Sequence, residues 1–147
     1  MPFPTRSEYE SFIYDLGNQY SEIKESTLRL FTVSTFAAIV EGEIHFTNGL
    51  TLRVLEVINL KSRQIQKYSY TIFHNNEKIR WYDPQPHPEI EALKSTFPHH
   101  RHEPPDPSTS SGLSIKQNRQ PAPGISFTVP NLHTLIRDCI ALGESLK

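Results

Sequence analysis

Four of the seven histidines of this chain lie within sixteen residues, between His87 and His102. The stretch reads Asp83-Pro-Gln-Pro-His-Pro-Glu89 and, after a short gap, Phe97-Pro-His-His-Arg-His102. Histidine is the side chain whose ordinary pKa lies nearest to physiological pH, so a group of histidines suits proton transfer, metal ligation or phosphate contact. The neighbouring prolines stiffen the backbone. We therefore expect the chemistry of the protein to lie in this stretch.

Within this stretch His100 and His102 are separated by a single residue, Arg101. In an extended segment alternate side chains point to the same side and stand about 6.5–7 Å apart. Two imidazoles at that spacing could flank a phosphate as acid and base, or bind one metal ion with help from His87, Asp83 or Glu56. The alternative to a functional site is a solvated histidine-rich loop, or imidazoles whose hydrogen bonds hold the proline-rich segment in place. Because the short His–Cys spacings of structural zinc sites are absent, no metal site is assigned and no cofactor is expected, although a divalent metal at the histidines stays open.

Cationic and aromatic side chains near the histidines are candidates for binding a substrate. The residues in question are Arg80, Arg101, His99 and Tyr70. The two arginines could steady a phosphate, and the tyrosine could stack on a nucleotide base if its side of the strand is open. Aromatic residues in strands more commonly serve packing, so both interpretations stand.

The composition predicts one domain over residues 1–147, with a net charge of −1 and a single cysteine, Cys139. The balanced charge would not by itself attract nucleic acid, and a lone cysteine cannot form an internal disulfide. The longest apolar run, residues 36–40, is far too short to cross a bilayer, and the N-terminus has no apolar signal core. A cytoplasmic protein without membrane contact is expected.

The residue patterns predict an α+β fold, namely an antiparallel β-meander of four to six strands packed against N- and C-terminal helices. Ser7-Glu-Tyr-Glu10 matches a capping box at the start of the first helix. Asn131 should cap the last helix, whose apolar stripe should pack on the sheet. The strands are expected within residues 27–57, then at Gln64–Phe73, Ile79–Tyr82 and Ile125–Val129.

The turn Thr47-Asn-Gly49 joins the two long strands and permits two registers. A two-residue loop would set Ile44 against Arg53. A three-residue loop, with the glycine in the left-handed region, pairs Ile44 with Leu52 and Glu43 with Arg53. Cross-strand pairs favour apolar contacts and opposite charges, so we predict the three-residue loop.

That register has a consequence for Glu56, because it places this carboxylate opposite Val40 on an otherwise apolar face. A buried carboxylate needs a partner or a cleft, since burying it alone is costly. A bulge at Gly42 would instead turn it outward. Glu56 is therefore either a site residue or a residue of the sheet margin.

Two segments near the histidines have weaker signals. Residues 103–124 are rich in Pro, Ser and Gly, which predicts a flexible loop. One or two helical turns are predicted at Glu89–Ser95. Phe97, which precedes a proline, should be extended and anchored in the core.

The succession of these features is similar to that of a known family. Its elements are the long strands around the Asn-Gly turn, Glu56, Tyr68-Ser-Tyr70, Tyr82-Asp83, Pro86-His87 and Phe97-Pro-His-His-Arg-His102. In this order, over about residues 35–102 and the last helix, the chain resembles the TumE family of toxin–antitoxin proteins. The resemblance implies a small cytoplasmic α+β protein of bacteria or archaea, which acts as a toxin and is paired with a cognate antitoxin.

The chain departs from the family pattern around the Tyr-Asp pair. The pattern has an arginine directly before this pair and an asparagine after it, whereas Trp81 and Pro84 stand at those positions here. Arg80 lies one residue earlier. A shift of one position moves a strand side chain to the other face, so Arg80 is not expected to reach the place of the family arginine.

Three functions fit these observations. The first is a toxin that acts on RNA or a nucleotide by phosphodiester transfer, with His100 and His102 as acid and base, Asp83 or Glu56 orienting an imidazole, and His87 as the alternative base. The second is a metal-dependent hydrolase that uses the same histidines. The third is a non-catalytic interaction module. The expected partners are a cognate antitoxin and RNA or a nucleotide, with a homodimer as a further assembly.

Overall fold

The computed structural model describes residues 3–84, 98–103 and 119–146. These residues form one antiparallel sheet of eight strands, flanked by an N-terminal and a C-terminal helical segment, so the α+β class is confirmed with more strands than predicted. The elements are α1 (Arg6–Tyr14), α2 (Leu16–Gln19), β1 (Ile23–Ser26), β2 (Arg29–Ser34), β3 (Ala37–Phe46), β4 (Leu50–Asn59), β5 (Gln64–His74), β6 (Glu77–Asp83), β7 (His100–His102), β8 (Arg119–Pro121) and α3 (Leu132–Ser145). Among the described residues no helix has the length and apolar character that crossing a membrane requires.

The strands follow the order β1-β3-β4-β5-β6-β7-β8 across the sheet. Strand β2 also pairs with β3, so β1 and β2 lie one after the other along the same side of that long strand. The central part, from β3 to β6, is the predicted meander of consecutive neighbours. Strands β7 and β8 extend it at the opposite end, which places the histidine-rich segment near that margin of the sheet.

The hairpin between β3 and β4 has the predicted register. Ile44 pairs with Leu52, and Glu43 pairs with Arg53, whose guanidinium lies 3.2 Å from the glutamate carboxylate. Gly49 has a φ of 90°, as the three-residue loop requires. The prediction of this loop is therefore confirmed.

The sheet has two unlike faces because side chains alternate along each strand. The covered face, formed by Val40, Leu52, Val54, Tyr70 and Tyr82 with their neighbours, is buried beneath α1 and α3. The open face is formed by the alternate residues, and it carries no helix in the described part of the chain. It includes Arg53, Leu55, Thr71 and Trp81.

The last helix packs on the covered face through the predicted stripe. Its buried members are Leu132, Leu135, Ile136, Cys139 and Gly143. This burial removes the apolar side of an amphipathic helix from water, which is the main source of helix stability in a folded protein. Burial raises the pKa of the Cys139 thiol, in keeping with a packing role.

Both predicted helix caps need correction. The capping box of α1 is formed by Thr5 and Glu8, two residues before the predicted start at Ser7. Both stretches match the Ser/Thr-x-x-Glu pattern, and the sequence alone does not separate them. Asn131 does occupy the N-cap position of α3, but its side chain makes no cap hydrogen bond. Instead its amide bonds Tyr70 and the backbone of Ser126.

Two predictions for the C-terminal part were wrong. Ile125–Val129 is not a strand but an irregular segment. Arg119–Pro121, inside the predicted loop 103–124, pairs with β7 as β8. A three-residue strand gives too short a pattern to be recognised without its partner. The predicted helix at Glu89–Ser95, the anchor at Phe97 and residues 104–118 of the predicted loop lie outside the described residues.

We expect that Gly42→Ala lowers the free energy of unfolding by about 2–4 kcal/mol. No register shift occurs between β3 and β4, so the alternative bulge at this glycine is not formed. Its φ is 140°, and a Cβ atom there would lie 2.5 Å from the carbonyl oxygen of Thr27. Gly17→Ala is the matched control, because a Cβ atom at that position meets no atom within 4 Å. Urea unfolding of both variants checks this, and equal stabilities would contradict it.

Candidate active site

The pairing of β6 with β7 brings Asp83, His100 and His102 together. Asp83 lies opposite His100, and Trp81 lies opposite His102. Residues two apart in a strand share a face, so all four side chains belong to the open face. The predicted convergence of His100, His102 and Asp83 is thus present in the structure.

One carboxylate contacts both imidazoles. The Nε2 atom of His102 lies 2.9 Å from Oδ2 of Asp83, and the Nε2 atom of His100 lies 3.1 Å from Oδ1. The rings of His100 and His102 meet edge to face, with centroids 4.7 Å apart. His100 is 1% exposed, whereas the side chains of His102 and Asp83 are 15% and 31% exposed. The cluster is therefore open to solvent on the side of Asp83 and His102.

The backbone determines which nitrogen of His100 carries a proton. Its Nδ1 atom lies 3.1 Å from the carbonyl oxygen of Pro98, and a carbonyl can only accept a hydrogen bond. Nδ1 is therefore the donor. We assign its proton because the carbonyl oxygen that it contacts can only accept. In a neutral ring this leaves a lone pair on Nε2, directed toward Asp83.

Two side chains of β6 border the cluster on the open face. The indole of Trp81 stacks on His102, with centroids 5.3 Å apart and planes 5° from parallel. The ammonium of Lys78 lies 4.8 Å from the centroid of that indole. Lys78 and Trp81 are three apart yet share a face, because one extra residue is inserted between the pairs Phe73–Lys78 and Ile72–Arg80.

The structure places the two candidate arginines on the covered face, away from the imidazoles. Arg101 lies between His100 and His102 in β7 and pairs with Tyr82. Arg80 donates from Nε to Glu103 at 2.8 Å, and the Nε atom of Arg101 lies 3.7 Å from the same carboxylate oxygen. Arg101 also donates to Gln120. As expected from its one-residue shift, Arg80 does not share a face with Trp81.

His99 lies on the covered side as well. Its Nδ1 atom is 2.6 Å from the hydroxyl of Tyr68, and its ring packs against Phe127. Burial, and to a smaller extent the neighbouring His100, lowers the pKa of His99. This ring anchors the start of β7 to the core.

Glu56 is fully buried beneath the helices. Tyr9 of α1 donates to its Oε1 atom at 2.6 Å, and Tyr70 of β5 donates to Oε2 at 2.5 Å. Asn131 in turn donates to the Tyr70 hydroxyl at 3.0 Å. The predicted need of this carboxylate for partners is met by two phenols, and these bonds join α1, the sheet and the start of α3.

Burial sets the protonation of this network. It raises the pKa of Glu56, against the opposing effect of the tyrosine hydrogen bonds. Burial, with the nearby carboxylate, also raises the pKa of Tyr9 and Tyr70. Tyr70 is fully buried, so its ring has no face free to stack on a base.

The predicted site residues thus separate by face. Asp83, His100 and His102 form the cluster on the open face; Glu56, Tyr70, Arg80, Arg101 and His99 lie on the other side. His87 lies outside the described residues. The sequence did not indicate the contact of the Pro98 carbonyl with His100, or the contacts of Trp81 with His102 and with Lys78. Alternation along β6 indicates that Trp81 lies on the same face as Asp83. Lys78 lies on that face only because of the bulge in β6.

Comparisons with known proteins gave a family match. The sequence model of a family described as toxin TumE matches residues 13–142. A search of curated proteins and a search of solved structures each found no significant match.

We expect the free energy of unfolding of Glu56→Gln, relative to that of the natural protein, to rise as the pH rises. The folded-state pKa of Glu56 lies above its ordinary value of 4.5, so its contribution is fully present below that value. It is lost as the pH rises through the folded-state pKa, because the unfolded chain ionises first. Glutamine does not titrate, so the variant gains relative to the natural protein.

Urea unfolding of both proteins from pH 4 to pH 8 measures this difference. A glutamine amide can still bond both phenols, since a phenol hydroxyl also accepts. A difference that is constant over this range would show that folding does not raise the pKa of Glu56.

Proposed function

The chain belongs to the toxin TumE family, and we propose that it acts on RNA or a nucleotide through Asp83, His100 and His102. Membership makes the chain the toxin component of a toxin–antitoxin pair, with a cognate antitoxin as its partner. The proposal concerns how such a toxin would act. We favour cleavage of a phosphate ester, because the cluster combines proton-carrying groups with a nearby cation.

The single observation that supports this function is the contact of two imidazoles with one carboxylate. Clusters of interacting titratable groups are enriched at functional sites. A carboxylate that holds the ring of a histidine is also the recurring arrangement by which enzymes orient a catalytic base. The cluster lies on paired strands, which hold it more rigidly than a loop would.

The proton transfers would centre on His102, the more exposed of the two rings. With Nε2 held by Asp83, Nδ1 is the nitrogen that takes a proton from attacking water or from a ribose hydroxyl. The new P–O bond forms as the bond to the leaving oxygen breaks. That oxygen takes up a proton from water, and His102 returns the proton that it accepted to solvent. His100 acts through Asp83 as a positioning residue, since it is almost fully buried.

The open face also offers a place for the substrate. Lys78 supplies a positive charge on the same face as the cluster, and Trp81 supplies an aromatic ring beside it. The guanidinium groups of Arg80 and Arg101 are held by Glu103 on the covered face. In this arrangement we assign the phosphate contact to Lys78 in preference to either arginine.

We expect His102→Gln and Asp83→Asn to abolish growth arrest when the chain is expressed alone in a bacterium. His74→Gln is the matched control, because His74 lies at the far end of β5, by the turn into β6, and should keep full toxicity. With purified protein, cleavage of total RNA or labelled nucleotides should fall about 10²–10⁴-fold in the two cluster variants, the usual contribution of a general acid or base.

The outcomes separate the candidate functions. Variants as active as the natural protein would remove the cluster from the mechanism. A chain that neither arrests growth nor cleaves either substrate, yet binds its antitoxin, would be a non-catalytic interaction module.

A further inference from the structure

We infer that Asp83, His100 and His102 form a binding site for one divalent transition-metal ion, such as Zn²⁺, Mn²⁺ or Co²⁺. The inference deepens the proposed function. The role of the metal site rests on that function, whereas the existence of the site does not. It is carried by the positions of the donor atoms, the hydrogen bond of His100 and the chemistry of the donor set.

The two contacts of Asp83 are at the separations of metal ligands, and all three donor atoms lie close together. One atom from each residue can be chosen so that all three lie within 4.8 Å of one another. The contacts of Asp83 with the two Nε2 atoms are 2.9 and 3.1 Å. Ligands that each lie about 2.0–2.2 Å from one ion are themselves separated by roughly 3 Å, so these contacts match neighbouring ligands of a shared ion.

The electrostatics of His100 favour a cation between it and Asp83. Because Nδ1 donates to the Pro98 carbonyl, a neutral ring presents its Nε2 lone pair to a carboxylate oxygen 3.1 Å away. Two acceptors at that distance repel, and either a proton on Nε2 or a metal ion between them removes the repulsion. A ring nitrogen that donates to a backbone carbonyl while the other faces the ion is also the usual outer-shell arrangement of metal-ligating histidines.

The donor set selects the class of ion. Two imidazole nitrogens and one carboxylate suit zinc, manganese, iron or cobalt, whereas magnesium and calcium prefer oxygen ligands. Three protein ligands leave coordination positions for water and for a substrate oxygen, as in catalytic sites. The partial exposure of Asp83 and His102 gives those positions access to solvent.

The surroundings hold the ligands in place. Backbone pairing fixes Asp83 opposite His100, and the parallel indole of Trp81 limits rotation of the His102 ring. With the ion bound to both Nε2 atoms, His102 would serve as a ligand, and water on the ion, whose pKa a metal lowers strongly, would lose a proton to solvent and become the nucleophile. The metal would thus replace the imidazole as the source of the nucleophile.

Titration of tag-free, EDTA-stripped full chain with Co²⁺ and with Zn²⁺ tests this inference. We expect one equivalent of Co²⁺ to produce a visible absorption band, Zn²⁺ to displace it, and either ion to raise the melting temperature. His102→Gln and Asp83→Asn should weaken binding by at least about 10-fold, measured by calorimetry. His74→Gln should bind as the natural protein does.

The inference is overturned if the natural protein shows no saturable one-to-one binding, or if both folded cluster variants bind as tightly as it does. Circular dichroism establishes that the variants are folded, and a misfolded variant leaves the decision to the natural protein. Metal binding without cleavage of RNA or nucleotides would sustain the inference and remove the proposed function. Cleavage in EDTA by protein that binds no metal would sustain the proposed function and overturn the metal site.

Discussion

The antiparallel pairing of β6 with β7 is the constraint on which the candidate site depends. It sets Asp83 opposite His100 and Trp81 opposite His102, so that one carboxylate lies between two imidazoles. A slip of one residue would send the histidines to the other face and bring Arg101 in their place. The chemistry is therefore a property of strand register rather than of the histidine-rich composition.

The two faces of the sheet separate polar groups with different physical roles. On the covered face, Glu56 is bonded to Tyr9 and Tyr70 and joins the first helix to the sheet. On the open face, the cluster has a solvent-accessible side. A buried carboxylate with satisfied hydrogen bonds contributes to specifying the fold, whereas one that shares its oxygens between two imidazoles is suited to chemistry.

The position of the cluster also bears on its use by a toxin. It lies toward the β8 end of the sheet, whereas β1 and β2 form the other margin beside β3. The described helices pack on the opposite face from the cluster, so α1 and α3 do not obstruct approach from the open side.

The sequence was sufficient to predict the local and periodic features: the α+β class, the β3–β4 register, the apolar stripe of α3, and the common side of His100 and His102 in an extended segment. These follow from alternation, helical period and turn chemistry, which act over a few residues. The tertiary structure was needed to show that Glu56 bonds two tyrosines, that Glu103 pairs with both arginines, and that Lys78 reaches Trp81. The physical reason is that such contacts depend on distant elements and on a single inserted residue, which no local pattern records.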